Sequence, residues 1–430
     1  MNRLAIFLFV WWTSLGLLAQ TGADDFRFED GDLLPADSLA EAGLQTSADS
    51  LTAEELGLPW PQNVQQRMDA LLERNASLLE RSQVGLMVYD LTDDSCIYSR
   101  NHMQTLRPAS TMKLLTAIAA LSRLGSSYRF RTQLFYRGRI EDGRLLGDLV
   151  CMGGMDPLFN SDDLNAFVES LRSMDVDTVC GHIVADLSFK EDERYGEGWC
   201  WDDDNPVLTP LLISRKDGFV ERFAEKLQEA GIVIDALSCQ PDNRRKDAPL
   251  TLLCTRFHTI DQVLMPMMKD SKNLFAEAMF YQLAASTGNR PGKASHARSV
   301  IGRLLSSLGI TSGYKIADGS GLSLYNYVSA HLLVRLLRYA YRNSDVFDNL
   351  YVSLPVAGQD GTLKSRMRGV FTNGNVHAKT GTLTGISSLA GYCTSANGHE
   401  LCFAIINQGV LRNQDGRTFQ DRVCTVLCEP

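Results

Sequence analysis

Residues 107–121 read RPASTMKLLTAIAAL, a serine and a lysine one helical turn apart at the start of an apolar helix. Pro108 and Ala109 precede Ser110, and KLLTAIAAL is a strong helix former, so Ser110 is expected in the first turn with Lys113 on the same face. A serine hydroxyl is a weak nucleophile until an adjacent base takes its proton. Lysine can supply that base if burial or neighbouring cations pull its pKa down from about 10.4. A first-turn backbone N–H is also free to donate to a developing oxyanion. The spacing is weakly specific by itself, because Ser312 and Lys315 repeat it in TSGYK.

The rest of the chain narrows the reading. Its 430 residues, 44% of them hydrophobic, are enough for two or three folded domains. Arg3, an apolar run over 4–18 and small residues at Ala19 and Ala23 have the layout of a secretory signal peptide, expected over 1–23. That run is shorter than the roughly 20 residues of a spanning helix, so an exported, periplasmic or extracytoplasmic, soluble protein without a membrane anchor is expected. A net charge of −9 without a dense Lys/Arg cluster excludes a nucleic-acid partner. Ten cysteines permit disulfides, yet no C-x-x-C spacing or Cys/His cluster suggests a metal, and no cofactor is expected. Cys393 and Cys402 are placed symmetrically about Asn397-Gly398, a hairpin signal that would set them opposite each other. A cross-strand bridge and buried free thiols both fit that spacing.

Residues 24–60 are acidic, without strand or helix period, and read as a linker. An amphipathic helix over 61–81 precedes the strand QVGLMVYD (83–90), a polar turn and the strand CIYS (96–99). Residues 126–215 change character, with strand-like runs, the tight turn Asp142-Gly143 and one helix near 162–174, and are expected to form an inserted α+β domain. Helices near 218–230, 261–285, 295–308 and 329–342 lead to strands in 375–383, 387–395 and 400–408 and a final helix near 416–428. The order implies an α+β fold in which both ends of 61–125 and 216–430 build one antiparallel sheet covered by helices.

Two further motifs raise the weight of the first. KDSKNLF places Ser271, Lys272 and Asn273 at the head of a helix, and HAKTGTLTG places Lys379, Thr380 and Gly381 on a strand. If Lys113, Lys272 and Lys379 share one cleft, repulsion and desolvation lower the pKa of the base while the other cations attract a terminal carboxylate. Lys272 reads more simply as a solvated lysine, and Gly381 lets a substrate backbone approach the strand. His377 lies nearby without an acid motif to complete a Ser-His-Asp triad.

The order S-x-x-K, S-x-N, K-T-G is the signature of penicillin-binding proteins and serine β-lactamases. Together with DGSGLSLYN (318–326) and LPVAGQDGTLKSRM (354–367), it resembles the D-alanyl-D-alanine carboxypeptidase/endopeptidase family of low-molecular-mass class C penicillin-binding proteins, the S13 peptidases, over roughly 61–430. The resemblance implies a penicillin-binding-protein/β-lactamase-like domain acting on peptidoglycan stem peptides or cross-links through an acyl-enzyme, with β-lactams as covalent inhibitors. It implies Ser110 as nucleophile, Lys113 as base, Ser271 and Asn273 in proton transfer and positioning, and Lys379 and Thr380 on the substrate carboxylate. Thr382 would complete the oxyanion hole with Ser110. GGMDP (153–157) is similar to the loop whose aspartate meets the substrate's side-chain amine, which points to Asp156; the other reading of Asp156 is a turn former before Pro157. The chain departs from the family in carrying one insert instead of two, and Leu324 where Arg is usual. A β-lactamase or esterase on the same scaffold, or a non-catalytic wall-binding protein, are the competing expectations.

Overall fold

The computed structural model describes residues 57–235 and 249–430. The signal-peptide reading of 1–23 and nearly all of the linker lie outside these residues.

The expected helix over 61–81 is two: α1 (Gln62–Arg74) and α2 (Ala76–Arg81), broken at Asn75, whose side chain donates back to the Leu71 carbonyl. The strands β1 (Gln83–Asp90) and β2 (Ser95–Arg100) follow. A 3₁₀ turn, Ala109–Thr111, leads into α3 (Met112–Leu124). The hairpin β3 (Arg129–Glu141) and β4 (Arg144–Met152) closes through Asp142-Gly143, both at positive φ, so the sequence signal gives the turn it calls for. Next come α4 (Ser161–Arg172), β5 (Thr178–Val179), β6 (Ile183–Asp186), α5 (Phe219–Glu229), β7 (Val233–Ile234) and β8 (Leu250–Thr259). The helices α6 (Ile260–Lys269), α7 (Asn273–Ala285), α8 (Ala294–Ser307), α9 (Ala330–Tyr341) and α10 (Ser344–Ser353) precede β9 (His377–Leu383), β10 (Ile386–Thr394), β11 (Glu400–Gln408) and α11 (Asn413–Cys428).

One sheet runs β2-β1-β11-β10-β9, antiparallel throughout, and so joins the two ends of the chain. Its central strands are apolar on both faces. Leu401, Phe403 and Ile405 of β11 face a core shared with α1 and α11, while Cys402, Ala404 and Ile406 face one shared with α3, α7 and α9. That alternation sandwiches the sheet between helical layers. α7 is buried from Leu274 to Ala284, as expected of a helix apolar on every side.

A second sheet runs β7-β5-β4-β3-β8, with β6 beside β4, and packs α4 and α5 over its own core of Leu134, Phe167 and Phe223. Its last strand, β8, pairs with β3 from Arg129↔Thr259 to Arg137↔Leu250. The sheet therefore continues past residue 215, where the insert was expected to end, because the chain returns to the edge of β3 before entering α6.

The expected pairing of Cys393 with Cys402 does not occur. Cys402 lies opposite Tyr392 and Cys393 opposite Leu401, because residues 395–399 form the connection in place of a two-residue turn. A one-residue slip sends the two thiols to opposite faces, Cys393 toward α11 and Cys402 toward α9. Cys393 and Cys402 are both free thiols. Phe419 of α11 is buried against the first of these faces. Phe419→Ala should cost about 3–5 kcal/mol, measured as a fall in the midpoint of reversible denaturant unfolding.

Candidate functional site

The nucleophile turn is held by its backbone environment. Ala109 has φ +47°, a conformation that a non-glycine residue adopts only under constraint. The constraint is visible on both sides of the turn. Thr111 Oγ1 and Ser388 Oγ both donate to the Pro108 carbonyl, at 2.7 and 2.5 Å. Gly321 (φ +84°) backs onto the Ala109 carbonyl so closely that a Cβ would lie 1.9 Å from its oxygen. Ser110 is left half-buried, with Lys113 fully buried beneath it.

Lys113 Nζ has three oxygen neighbours: Ser110 Oγ at 2.9 Å, Asn273 Oδ1 at 2.8 Å and the Ser320 carbonyl at 2.8 Å. The last two can only accept. A neutral amine spends its two N–H bonds on them and turns its lone pair to the Ser110 hydroxyl. Burial pulls the Lys113 pKa down to about 7 against the opposing pull of Asp318 and Glu277, so the neutral form exists near neutral pH. This is the arrangement in which a serine can be deprotonated by its neighbour.

The second motif interrupts what the sequence suggested as one helix over 261–285. Ser271 sits between α6 and α7 at φ +59°, and Asn273 opens α7, which aims Asn273 Oδ1 at Lys113. Ser271 Oγ accepts from Lys379 Nζ at 2.8 Å, and Lys379 also donates to the Thr380 carbonyl at 2.8 Å. Lys379 is fully buried; desolvation and then the Lys113 charge push its pKa well down. A carboxylate placed beside it would favour the charged form again. Lys272, in contrast, is exposed.

β9 is an edge strand, and its third-motif residues lie against the nucleophile turn. A Cβ on Gly381 would stand 2.2 Å from Ser388 Oγ, 2.7 Å from the Pro108 carbonyl oxygen and 3.0 Å from the Ser110 nitrogen, so glycine is required for this approach. Thr380 Oγ1 donates to Thr362 Oγ1 at 2.7 Å. Thr382 is exposed, with Arg417 Nη2 3.5 Å from its hydroxyl. The structure thus brings Ser110, Lys113, Ser271, Asn273 and Lys379 into one hydrogen-bonded and electrostatically linked cluster, with Gly381 against it.

Asp156 is placed otherwise. Its carboxylate is buried, accepts from the Leu158 backbone N–H at 3.0 Å and meets His258 Nδ1 at 2.8 Å. Among the described residues no hydrogen bond or ion pair links it to Lys113 or Lys379. The partner lifts the His258 pKa, chiefly through that hydrogen bond. His377 stacks on Tyr351 at 4.2 Å, and Lys315, of the repeated Ser-x-x-Lys spacing, lies over the Tyr325 ring. Leu324 uses its carbonyl to accept from Arg107 Nε at 3.0 Å.

The family model described as D-Ala-D-Ala carboxypeptidase 3 (S13) matches residues 64–212 and 213–429. The chain belongs to this family. It is 29% identical over 440 residues to a D-alanyl-D-alanine carboxypeptidase of an Actinomadura species, covering 80% of each protein. It is 24% identical over 412 residues to the D-alanyl-D-alanine carboxypeptidase DacB of Haemophilus influenzae, covering 76% of this chain and 85% of that one. The crystal structure of penicillin binding protein 4 from Haemophilus influenzae superposes with a TM-score of 0.72 at 23% identity, over 84% of this chain and 99% of that one, which shows the shared α+β fold. The chain is therefore a peptidase of the serine acyl-enzyme type that this family typifies.

Sequence reasoning missed Glu277, Asp318, Ser320, Thr362 and Ser388. Glu277 follows Asn273 by four residues in an apolar helix, a spacing that puts both on one face; the same signal picked out Ser110 and Lys113. Replacing Gly381 by Ala should lower the acylation rate by about 10–100-fold, because a small displacement of β9 from the nucleophile misaligns the attack. The check is penicillin acylation kinetics on a variant whose melting temperature stays near that of the wild type.

Proposed function

We propose that the chain hydrolyses the D-Ala-D-Ala bond of peptidoglycan stem peptides, or the adjoining cross-link, through an acyl-enzyme on Ser110. The observation that carries this reading is the Lys113 amine, whose two fixed acceptors leave its lone pair for Ser110. Ser110 Oγ attacks the penultimate D-Ala carbonyl as its proton passes to Lys113 Nζ. The oxyanion is received by the backbone N–H groups of Ser110 and Thr382. The leaving D-Ala amine takes the proton back through the Ser271–Asn273–Lys113 cluster, and water then releases the acyl group. Lys379 and Thr380 hold the terminal carboxylate, and the open edge of β9 pairs with the extended substrate.

A β-lactam presents the same carbonyl and carboxylate, so penicillin is proposed as a covalent inhibitor. Asp156 is proposed as a contact for the substrate's side-chain amine, which requires it to exchange its His258 partner. Export by residues 1–23 fits a wall substrate. Among the described residues no helix is long and apolar enough to cross a membrane. We further assign the second sheet, over about residues 129–259, as the module inserted into a catalytic domain made of the flanking segments.

Digestion of defined muropeptides, read by mass, should show loss of one D-Ala or opening of the cross-link; no mass change would overturn the assignment. Ser110→Ala should abolish both cleavage and penicillin labelling. Lys113→Arg should be nearly inactive although the charge is kept, because guanidinium does not give up its proton at any usable pH. Acylation needs Lys113 neutral, so its rate should rise as pH increases through about 7, the value to which burial brings Lys113, and a flat profile from acid to neutral pH would exclude this base.

Lys379→Ala removes a charge-assisted hydrogen bond worth about 1.5–3 kcal/mol. Its loss should fall on substrates with a free carboxylate and largely spare a matched amidated substrate. Equal proportional losses in acylation rate for both would show that Lys379 serves general catalysis or structure.

A further inference from the structure

Below Lys113 lies a buried acid that the reaction outlined above does not use. Glu277, on α7 one turn after Asn273, is 1% exposed. Its Oε1 accepts from the backbone N–H groups of Ser320 at 2.8 Å and Gly319 at 3.1 Å. Those two donors belong to the turn whose Ser320 carbonyl receives Lys113 Nζ and whose Gly319 carbonyl receives Thr116 Oγ1 at 2.6 Å. The turn has no slack, since a Cβ on Gly319 would lie 2.5 Å from that of Phe280. One helix face therefore fixes two of the three groups around the lysine amine: Asn273 directly, and the Ser320 carbonyl through Glu277.

We propose that Glu277 is a positioning residue for Lys113, one that aims the Ser320 carbonyl at the amine and, through its charge, sets the pH range in which that amine is a base. The inference rests on Lys113 being the base for Ser110.

Geometry makes both halves of the role follow from one carboxyl group. Among the described residues no cation touches Glu277, and the groups around it are mixed in sign: Lys113, with Lys379 beyond it, on the side of the reacting serine, and Asp318 along the same turn. Tyr281 lies on its own helix, and across an adjoining cavity of about 230 Å³ lie Glu191, Glu193, Glu197 and Arg298. Burial, followed by the Asp318 charge, raises the Glu277 pKa to about 8 in spite of its backbone hydrogen bonds. An acid that holds its proton near neutral pH leaves Lys113 without a close counter-charge on that side, which favours the neutral amine. As Glu277 ionises, its negative charge favours lysine protonation, so the two titrations oppose each other. Any negative charge on Glu277 raises the Lys113 pKa; removing it can only lower that pKa.

Glu277→Gln keeps an oxygen acceptor for the turn and removes the charge, whereas Glu277→Ala removes both. The second-order rate constant for penicillin acylation is measured for each between about pH 5 and 9, with thermal unfolding as the control for folding. In Glu277→Gln the acid limb should move to lower pH by a few tenths of a unit, because the fraction of carboxylate that forms beside protonated Lys113 can no longer stabilise it. In Glu277→Ala the rate on the plateau should fall by about tenfold or more. An acid limb in Glu277→Gln that stays in place or moves to higher pH overturns the electrostatic role, and a normal plateau in Glu277→Ala overturns the positioning role. A general loss of structure lowers the plateau and the melting temperature without moving the limb of the glutamine variant. If the wild type is not acylated at Ser110, the proposed function fails; if it is, and the variant profiles match it, only the role of Glu277 fails.

Discussion

A lysine amine held out of water without a carboxylate in hydrogen-bonding contact is the constraint on which the rest of this structure depends. A protonated lysine is strongly hydrated, and burial disfavours that form unless an acid pairs with it. Among the described residues the amine meets only neutral oxygens, from Ser110, Asn273 and the Ser320 carbonyl, while Asp318 and Glu277 act on it from a distance. Each oxygen comes from a different part of the chain. The site therefore cannot exist before α3, α7 and the 318–321 turn have docked, and folding energy maintains the low basicity that the chemistry needs.

The docking is arranged through close backbone approaches more than through side-chain bulk. Gly321 lies on the Ala109 carbonyl, Gly381 on the Pro108 carbonyl and Gly319 on Phe280. Asp318 organises the turn between them, accepting from the backbone N–H groups of Gly321 and Ser323 and from the side chains of Trp199, Asn326 and Ser320. Trp199 lies between β6 and α5, so the stretch of chain that builds the second sheet contributes a hydrogen bond to the loop beneath the base. Such a saturated network resists rearrangement, since a donor or acceptor left without its partner in a buried place costs about 1–3 kcal/mol.

How much of this the sequence discloses depends on whether the signal is local. Ser110 and Lys113 are legible because helical spacing sets them on one face, and β11 because an apolar run between turn residues reads as a buried strand. The antiparallel sheet joining the chain ends followed from element order. The register of β10 on β11 was not legible: Asn397-Gly398 marks a turn, but it does not say that Ser395 and His399 close the connection through the 2.9 Å bond from the Ser395 N–H to the His399 carbonyl. The break at Ser271 was legible from the second motif, which sets Ser271 at the head of a helix, but not from the helical period over 261–285, because its cause is tertiary, the need to bring Ser271 under Lys379. The extent of the second sheet was missed for the same reason, since β8 is separated from its partner β3 by more than 100 residues of chain.

Glu277 shows most clearly where local reading stops. In sequence it is one acid in the apolar run NLFAEAMF, and its burial there reads as a cost to folding. In the structure the cost is offset by two backbone donors that have no other partner in the turn. Those donors are free only because the Gly319–Ser320 turn belongs to no helix or sheet, and the turn is irregular because it must direct a carbonyl at Lys113. The acid, the irregular turn and the desolvated lysine are thus mutually required, which explains how an otherwise apolar helix retains an acid at its buried centre.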